Sequence, residues 1–277
     1  MRFRIPLASL VFAAVILMGA SGQPVPKPAP APNARRGLAL LQHFRDSLPQ
    51  HSGNGLRCTS CHLDDGKRGT AMPWIGVTAR FPKYRARRGS QESIEQRVNE
   101  CIARSLAGRM LPDDDPAMRD IVAYLETLRD LPAAERPDTV RMIGSATRGA
   151  VAYQPNCARC HGANGAGTVS APAVFGAGSY SVGAGLARQK VLATFLHANM
   201  PFDQPGTLEA QAAADIAAWV LQQPRQDHPG KERDWPNGDV PADVAYATDG
   251  ARKLGVALPP ARPVLRRRVP PTTRPSR

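Results

Sequence analysis

The sequence predicts an all-α molecule built from two tandem, similar domains, and three observations carry that expectation. A Cys-x-x-Cys-His motif occurs twice, as Cys58-Thr-Ser-Cys61-His62 and as Cys157-Ala-Arg-Cys160-His161. Each copy follows a helical stretch and leads, through a glycine-containing loop, to a closing amphipathic helix. Between proline-rich ends lie about 190 residues, enough for two domains of about 95 each.

Taken in order, Arg2 and Arg4 precede an apolar run from Leu7 to Gly19, and Ala20-Ser21-Gly22 offers small residues for cleavage. Residues 1–22 read as a secretory signal peptide, since a run of roughly 13 residues falls short of the ~20 that span a bilayer. An uncleaved anchor is the alternative. Residues 23–34, with proline at every second position from Pro24 to Pro32, form an extended spacer. Domain 1, residues 35–131, opens with a helix from Ala34 to about Leu48. A second helix, Glu92 to Leu106, has Ser90 as its cap and Ile94, Val98, Ile102 and Leu106 as its apolar stripe. Asp115 caps the closing helix and Pro116 takes its first position, with Met118, Ile121, Val122, Leu125 and Leu128 facing inward.

Residues 131–139, with Pro132 and Pro137, form the connection. Domain 2, residues 140–228, repeats the pattern: Ser145 to Gln154 leads into the motif, and Thr207 to Leu221 closes with Ile216, Trp219 and Val220 inward. Residues 229–277 read as a basic, largely irregular tail. From Arg252 onward there are eight cations and no acid, against a formal net charge of +13 for the whole chain. A flexible solvated tail is the plain reading, and a docking strand for an acidic redox partner or anionic lipid the sharper one.

Two thiols and an imidazole at this spacing are the attachment signature of a c-type haem. The expected cofactors are therefore two covalently bound haem c groups. Cys58, Cys61, Cys157 and Cys160 bond the porphyrins, and His62 and His161 ligate the irons. An opening helix, a haem site, loops and a closing helix make up the small cytochrome c fold. Aromatic residues are only 5% of the chain, and a haem in each half supplies the missing apolar bulk. Haem attachment follows export, so the expected compartment is the periplasm, where no nucleic acid awaits the basic tail.

Each iron has an opposite axial position. In domain 2, Met200 in Asn199-Met200-Pro201 is the candidate, a thioether that would raise the reduction potential. Met200 lies 39 residues after His161, and 39 residues after His62 stands Cys101. Met72 and Met110 are rivals for the first iron, and a plain buried cysteine is a further reading of Cys101. An idle thiol is a liability in an oxidising compartment, with the other four cysteines bonded to haem. Arg97, Cys101 and Ser105 are spaced i, i+4, i+8 and share one helix face, where a guanidinium favours thiolate. Upstream, Arg80-Phe-Pro-Lys-Tyr-Arg85-Ala-Arg87-Arg88 carries five cations. Such a run is either a solvated surface or an anion funnel.

These residues resemble the thiosulfate dehydrogenase family of dihaem cytochromes that form tetrathionate. The likeness covers about residues 35–228. It is most specific in Gly53-Asn-Gly-Leu-Arg-Cys58-Thr-Ser-Cys61-His62, Pro73-Trp74-Ile-Gly-Val, Phe81-Pro-Lys-Tyr84-Arg85-Ala-Arg87 and Arg97-Val-Asn-Glu-Cys101-Ile-Ala-Arg-Ser105. The resemblance implies His62 and Cys101 as axial ligands of a catalytic haem, with Arg87, Arg97 and Ser105 around the substrate. It implies His161 and Met200 as the axial ligands of an electron-transfer haem. Some members have a lysine before that methionine as an exchanging ligand. Here the residue is Asn199, so a ligand switch is not expected.

The expected activity is oxidation of two thiosulfates to tetrathionate, with electrons passing to a small soluble c-type cytochrome or another periplasmic acceptor. A membrane is a partner only if the signal stays on. The alternatives are a dihaem carrier without its own substrate and a Sox-type haem subunit that conjugates thiosulfate to a carrier protein.

Overall fold

The computed structural model describes residues 30–133 and 135–265, and its described residues from Ala31 on form one compact unit. The signal peptide, most of the proline-rich spacer and Arg266, Arg267, Arg268, Arg274 and Arg277 lie outside the described residues. Helices dominate, as expected, and two short two-stranded pairings are the only sheets among the described residues. No helix there is long and apolar enough to cross a membrane.

Each half rests on a pair of crossing helices. In the first, α1 (Ala34–Gln42) packs on α3 (Pro116–Thr127); in the second, α4 (Ala146–Tyr153) packs on α6 (Ala210–Gln222). The crossings repeat atom for atom. Asn33 and Ser145 cap α1 and α4, and their backbone N–H groups donate to Asp120 and Asp215, both at 2.7 Å. Three residues on, Arg36 and Arg148 each give that same carboxylate two hydrogen bonds. One residue further stand Gly37 and Gly149. A Cβ at either would sit 1.9 Å from the carbonyl oxygen of Asp120 or Asp215, so the two backbones touch where no side chain fits.

The closing helix of the first half has the expected start, with Asp115 accepting from Ala117 N–H at 2.8 Å and Pro116 at the first position. Met118, Ile121, Leu125 and Leu128 are buried and Val122 is half-buried. The opening helix stops at Gln42, and a separate turn, Phe44–Ser47, completes the expected span. The closing helix of the second half starts at Ala210, three residues later than expected, with Ile216 and Val220 buried and Trp219 half-buried.

The cysteine-bearing helix, α2, spans Ile94–Arg104, and Ser93, not Ser90, caps it. The reason is a reciprocal box: the Ser93 hydroxyl accepts from Gln96 N–H, and Ser93 N–H donates to the Gln96 side chain. Ser90–Glu92 instead forms strand β2, antiparallel to β1 (Lys83–Arg85), so the basic run folds as a hairpin. Helix α5, Gln189–Asn199, is its counterpart in the second half and ends immediately before Met200.

The expectation of a solvated tail fails for residues 229–265. Asp234, Trp235, Val244 and Tyr246 are buried, and Trp235, Val244 and Tyr246 form a small core with Ala86 and Val240. Val264–Leu265 (β4) pairs in parallel with Arg225–Gln226 (β3). Few regular elements form there, as expected, but two aromatic rings and one carboxylate are enough to anchor the segment.

Candidate active site

Each Cys-x-x-Cys-His motif presents its histidine in the same way. His62 Nδ1 donates to the Met72 carbonyl at 2.6 Å, and His161 Nδ1 donates to the Pro172 carbonyl at 2.7 Å. Both rings thereby keep Nε2 for a metal, the orientation that a second hydrogen bond imposes on a ligating imidazole. The His62 ring also stacks on Trp74, with centroids 4.8 Å apart. Burial above all, and Arg97 to a lesser degree, lower the His62 imidazole to about 4 against the Met72 bond, leaving it neutral.

Cys157, Cys160, His161 and Met200 line one cavity of about 480 Å³, with Leu192, Ile216 and Val220 in its apolar wall. Cys61, from the first motif, lines the same cavity. The buried Tyr180 hydroxyl, also in this wall, has no hydrogen-bond partner. Asn199 is fully buried and joins the halves: the Thr70 hydroxyl donates to it at 2.7 Å, and its amide donates to the Thr70 carbonyl at 3.0 Å. Thr70 belongs to the loop that holds His62 through Met72.

Cys101, Arg97, Ser105 and Arg87 all line a second cavity, of about 350 Å³. Arg97 Nη1 donates to Cys101 Sγ at 3.1 Å. None of the five cysteines is in a disulfide. Burial first, and then the nearby Cys101 sulfur, push both the Cys58 and Cys61 thiols up, so the lone sulfur stands within electrostatic reach of the first motif. Met110 is 54% exposed and lines neither cavity. Met72 sits in the loop on the His62 side of the motif.

Six arginines line this second cavity: Arg85, Arg87, Arg88, Arg97, Arg104 and Arg188. Their pairing separates them. Arg85 meets Glu92 at 3.4 Å, Arg88 meets Glu100 at 3.6 Å, Arg188 meets Asp243 at 2.8 Å, and Arg104 is held by both Glu100 and Asp234. Arg87 reaches Asp234 only at 3.8 Å. Among the described residues, Arg97 alone of the six has no carboxylate within 4.0 Å. The two arginines singled out from sequence are therefore the two least neutralised, and the ones most able to take an anion. Sequence reading missed Arg104, Arg188, Glu92, Glu100, Asp234 and Trp235. The first four gave no pattern, and the last two fell in the segment read as tail.

Known proteins place this architecture. The SoxA/TsdA cytochrome c domain family matches residues 49–129, and subunit III of cbb3-type cytochrome c oxidase matches residues 144–220. The thiosulfate dehydrogenase of Psychrobacter arcticus is 37% identical over 76% of this chain and 68% of its own length. That of Allochromatium vinosum is 37% identical over 69% of this chain and 77% of its own. The chain belongs to the thiosulfate dehydrogenase family. A solved member, thiosulfate dehydrogenase TsdBA from Marichromatium purpuratum as isolated, superposes with a TM-score of 0.67 at 27% identity. The match covers 71% of this chain and 47% of that one.

As a thiosulfate dehydrogenase family member with two cytochrome c domains, the chain carries two covalently bound haem c groups. The residues present fit them. Each motif offers two thiols and a histidine whose Nε2 is free, and the orphaned Tyr180 hydroxyl in a mainly apolar wall fits a ligand bearing an oxygen acceptor, such as a porphyrin carboxylate.

Proposed function

We propose that the protein oxidises two thiosulfates to one tetrathionate in the periplasm and hands the two electrons to an external acceptor, a small soluble c-type cytochrome being the natural kind. Each haem supplies a one-electron store, so the pair together holds what one turnover releases. Cys58, Cys61, His62 and Cys101 would hold the first haem; Cys157, Cys160, His161 and Met200 would hold the second. Cys61 lines the cavity of the second half as well, which supports a short path between the two.

The difficulty the site must meet is electrostatic. Two unit charges ~4 Å apart in water repel by about 1 kcal/mol, and two dianions by about four times that. Arg97 and Arg87, the least neutralised cations of the cavity, bind the sulfonate-like oxygens, and Ser105 offers a further donor.

Cys101 is the nucleophile in this reading. Its thiolate joins the outer sulfur of the first thiosulfate, forming a Cys-S-thiosulfonate and releasing two electrons. The second thiosulfate attacks that outer sulfur, breaks its bond to Cys101, leaves as tetrathionate and restores the thiolate. No proton is needed in either step. The same site serves tetrathionate reduction, with the direction following the haem potentials.

The observation that carries this reading is the carboxylate-free Arg97 guanidinium 3.1 Å from Cys101 Sγ, in a cavity shared with Arg87 and Ser105. The test is purified protein with thiosulfate and ferricyanide, assayed for free tetrathionate. Tetrathionate from wild type, and none above background from a Cys101→Ala protein that retains both haems, is the expected result. Near wild-type turnover by Cys101→Ala would end the nucleophile role. Thiosulfate found only on an added carrier protein would favour the Sox-type alternative.

A further inference from the structure

The C-terminal segment does more than cover the surface: it builds one wall of the arginine cavity. Trp235 and Pro241 line that cavity, although they lie well over a hundred residues from Cys101 in sequence. The segment is tied to the basic hairpin at several points. Trp235 N–H donates to the Arg87 carbonyl at 2.9 Å, the Asn237 amide donates to the Tyr84 hydroxyl at 2.9 Å, and the Trp235 ring lies 4.4 Å under the Arg87 guanidinium. Asp234 accepts two hydrogen bonds from Arg104, at 2.9 and 2.7 Å, and one from the Tyr246 hydroxyl at 2.7 Å.

Trp235 itself is held in an unfavourable backbone state. Its φ is +51°, left-handed for a residue with a bulky side chain, and the residue is 4% exposed. A bulky non-glycine residue is strained in that region and persists there only where its surroundings over-determine it. Here the surroundings are Arg87, on both its backbone and its side chain, the small core of Val244 and Tyr246, and Gly238, whose N–H donates to the Trp235 carbonyl at 2.9 Å.

The contacts of Arg87 show what this achieves. Its Nη1 donates to the Gly183 carbonyl at 2.8 Å, its Nε faces Asp234 at 3.8 Å, and its flat face rests on the indole. Among the described residues, Nη2 has no protein hydrogen bond. Nη1 is thus held by the protein and Nε faces a carboxylate, while the N–H groups of Nη2 are left for a ligand. We infer that Trp235, with Asp234 beside it, is a positioning residue that presents Arg87 to the thiosulfate oxygens. The inference rests on the function proposed above and adds to it the specific device that orients one of its two anion-binding arginines.

The device acts on Arg87, so its effect falls on substrate binding and vanishes when Arg87 is absent. Steady-state kinetics of the holoenzyme with thiosulfate and ferricyanide should show KM raised about tenfold in Trp235→Leu, with kcat changed less than about threefold. Trp235→Phe restores a ring and should return KM to within about threefold of wild type. In an Arg87→Gln background, Trp235→Leu should add nothing, because the interaction it removes is already gone. An unmoved KM in Trp235→Leu, or a penalty that adds in full to that of Arg87→Gln, overturns the inference. Should Trp235→Leu fail to hold both haems, the same cycle is read with Trp235→Met, which also removes the ring face, and an effect that adds in full again overturns it. Wild type run alongside separates the two claims: no thiosulfate oxidation there sinks the proposed function, whereas normal wild-type kinetics with an unmoved variant KM sink this inference alone.

Discussion

The two halves share a scaffold down to individual hydrogen bonds, yet they place different sulfurs 39 residues after their histidines. In the first half that sulfur belongs to Cys101, inside α2, with Arg97 one turn earlier. In the second it belongs to Met200, just past the end of α5, in a cavity walled by Leu192, Ile216 and Val220. Different side chains tie each helix to the loop that follows: the Asn99 amide donates to the Leu111 carbonyl at 2.9 Å, and His197 Nδ1 donates to the Leu208 carbonyl at 2.6 Å. A common fold therefore carries two environments, one cationic, the other apolar. The difference lies in a few side chains and in where one helix ends.

The sharpest way to break the comparison is to make the halves alike. Cys101→Met should retain both haems and lose thiosulfate turnover by at least about a thousandfold, as removal of a nucleophile does. An absorption spectrum and a tetrathionate assay on the same sample check this. Turnover near wild type would mean that the thiol is dispensable.

The shared scaffold predicts paired effects. Gly37→Ala and Gly149→Ala each force a Cβ against a carbonyl oxygen and should each cost about 1–3 kcal/mol, read from denaturant midpoints. A large effect in one half and none in the other would show that the crossings are not equivalent. Asn199→Ala removes the clasp between the halves and orphans the Thr70 hydroxyl and carbonyl. It should cost about 1–3 kcal/mol and weaken the thioether–iron absorption band if Met200 ligates as proposed.

The smallest effect concerns acid. Burial acts against Asp120, but its bonds from Arg36 and Asn33 hold it below the ordinary carboxylate value. Bonds from Arg148 do the same for Asp215, against burial. A depressed native value means stability that is complete above the unfolded value, near pH 4, and lost as pH falls through the native one. Asp120→Asn and Asp215→Asn should both unfold more easily than wild type at pH 7, and the gap should close as pH drops below about 4. A gap independent of pH would assign the loss to shape, not charge.

Much of this was legible in the sequence because its signals are local. The Cys-x-x-Cys-His motifs, the Asp115-Pro116 helix start and the i, i+4 spacing of Arg97 on Cys101 each depend on residues a few positions apart. The Ser90 cap failed because Ser93 and Gln96 offer a better reciprocal pair, and a strand then claimed Ser90. What could not be read were the choices made by distant partners. Which arginines remain available depends on Glu92, Glu100, Asp234 and Asp243, and the Arg104–Asp234 pair spans 130 positions. The segment around Trp235 has no period to betray it, so its burial emerges only once the hairpin is in place.

Cys61 stands in the wall of its neighbour's chamber, and this gives the molecule an economy of parts. With the porphyrins held as proposed, the residue that fastens one also closes the pocket of the other, so the second half does not make a whole container by itself. Cutting the chain in the proline-containing connection would leave the second porphyrin open to water on its inner side, and two separated fragments would not add up to the intact conductor.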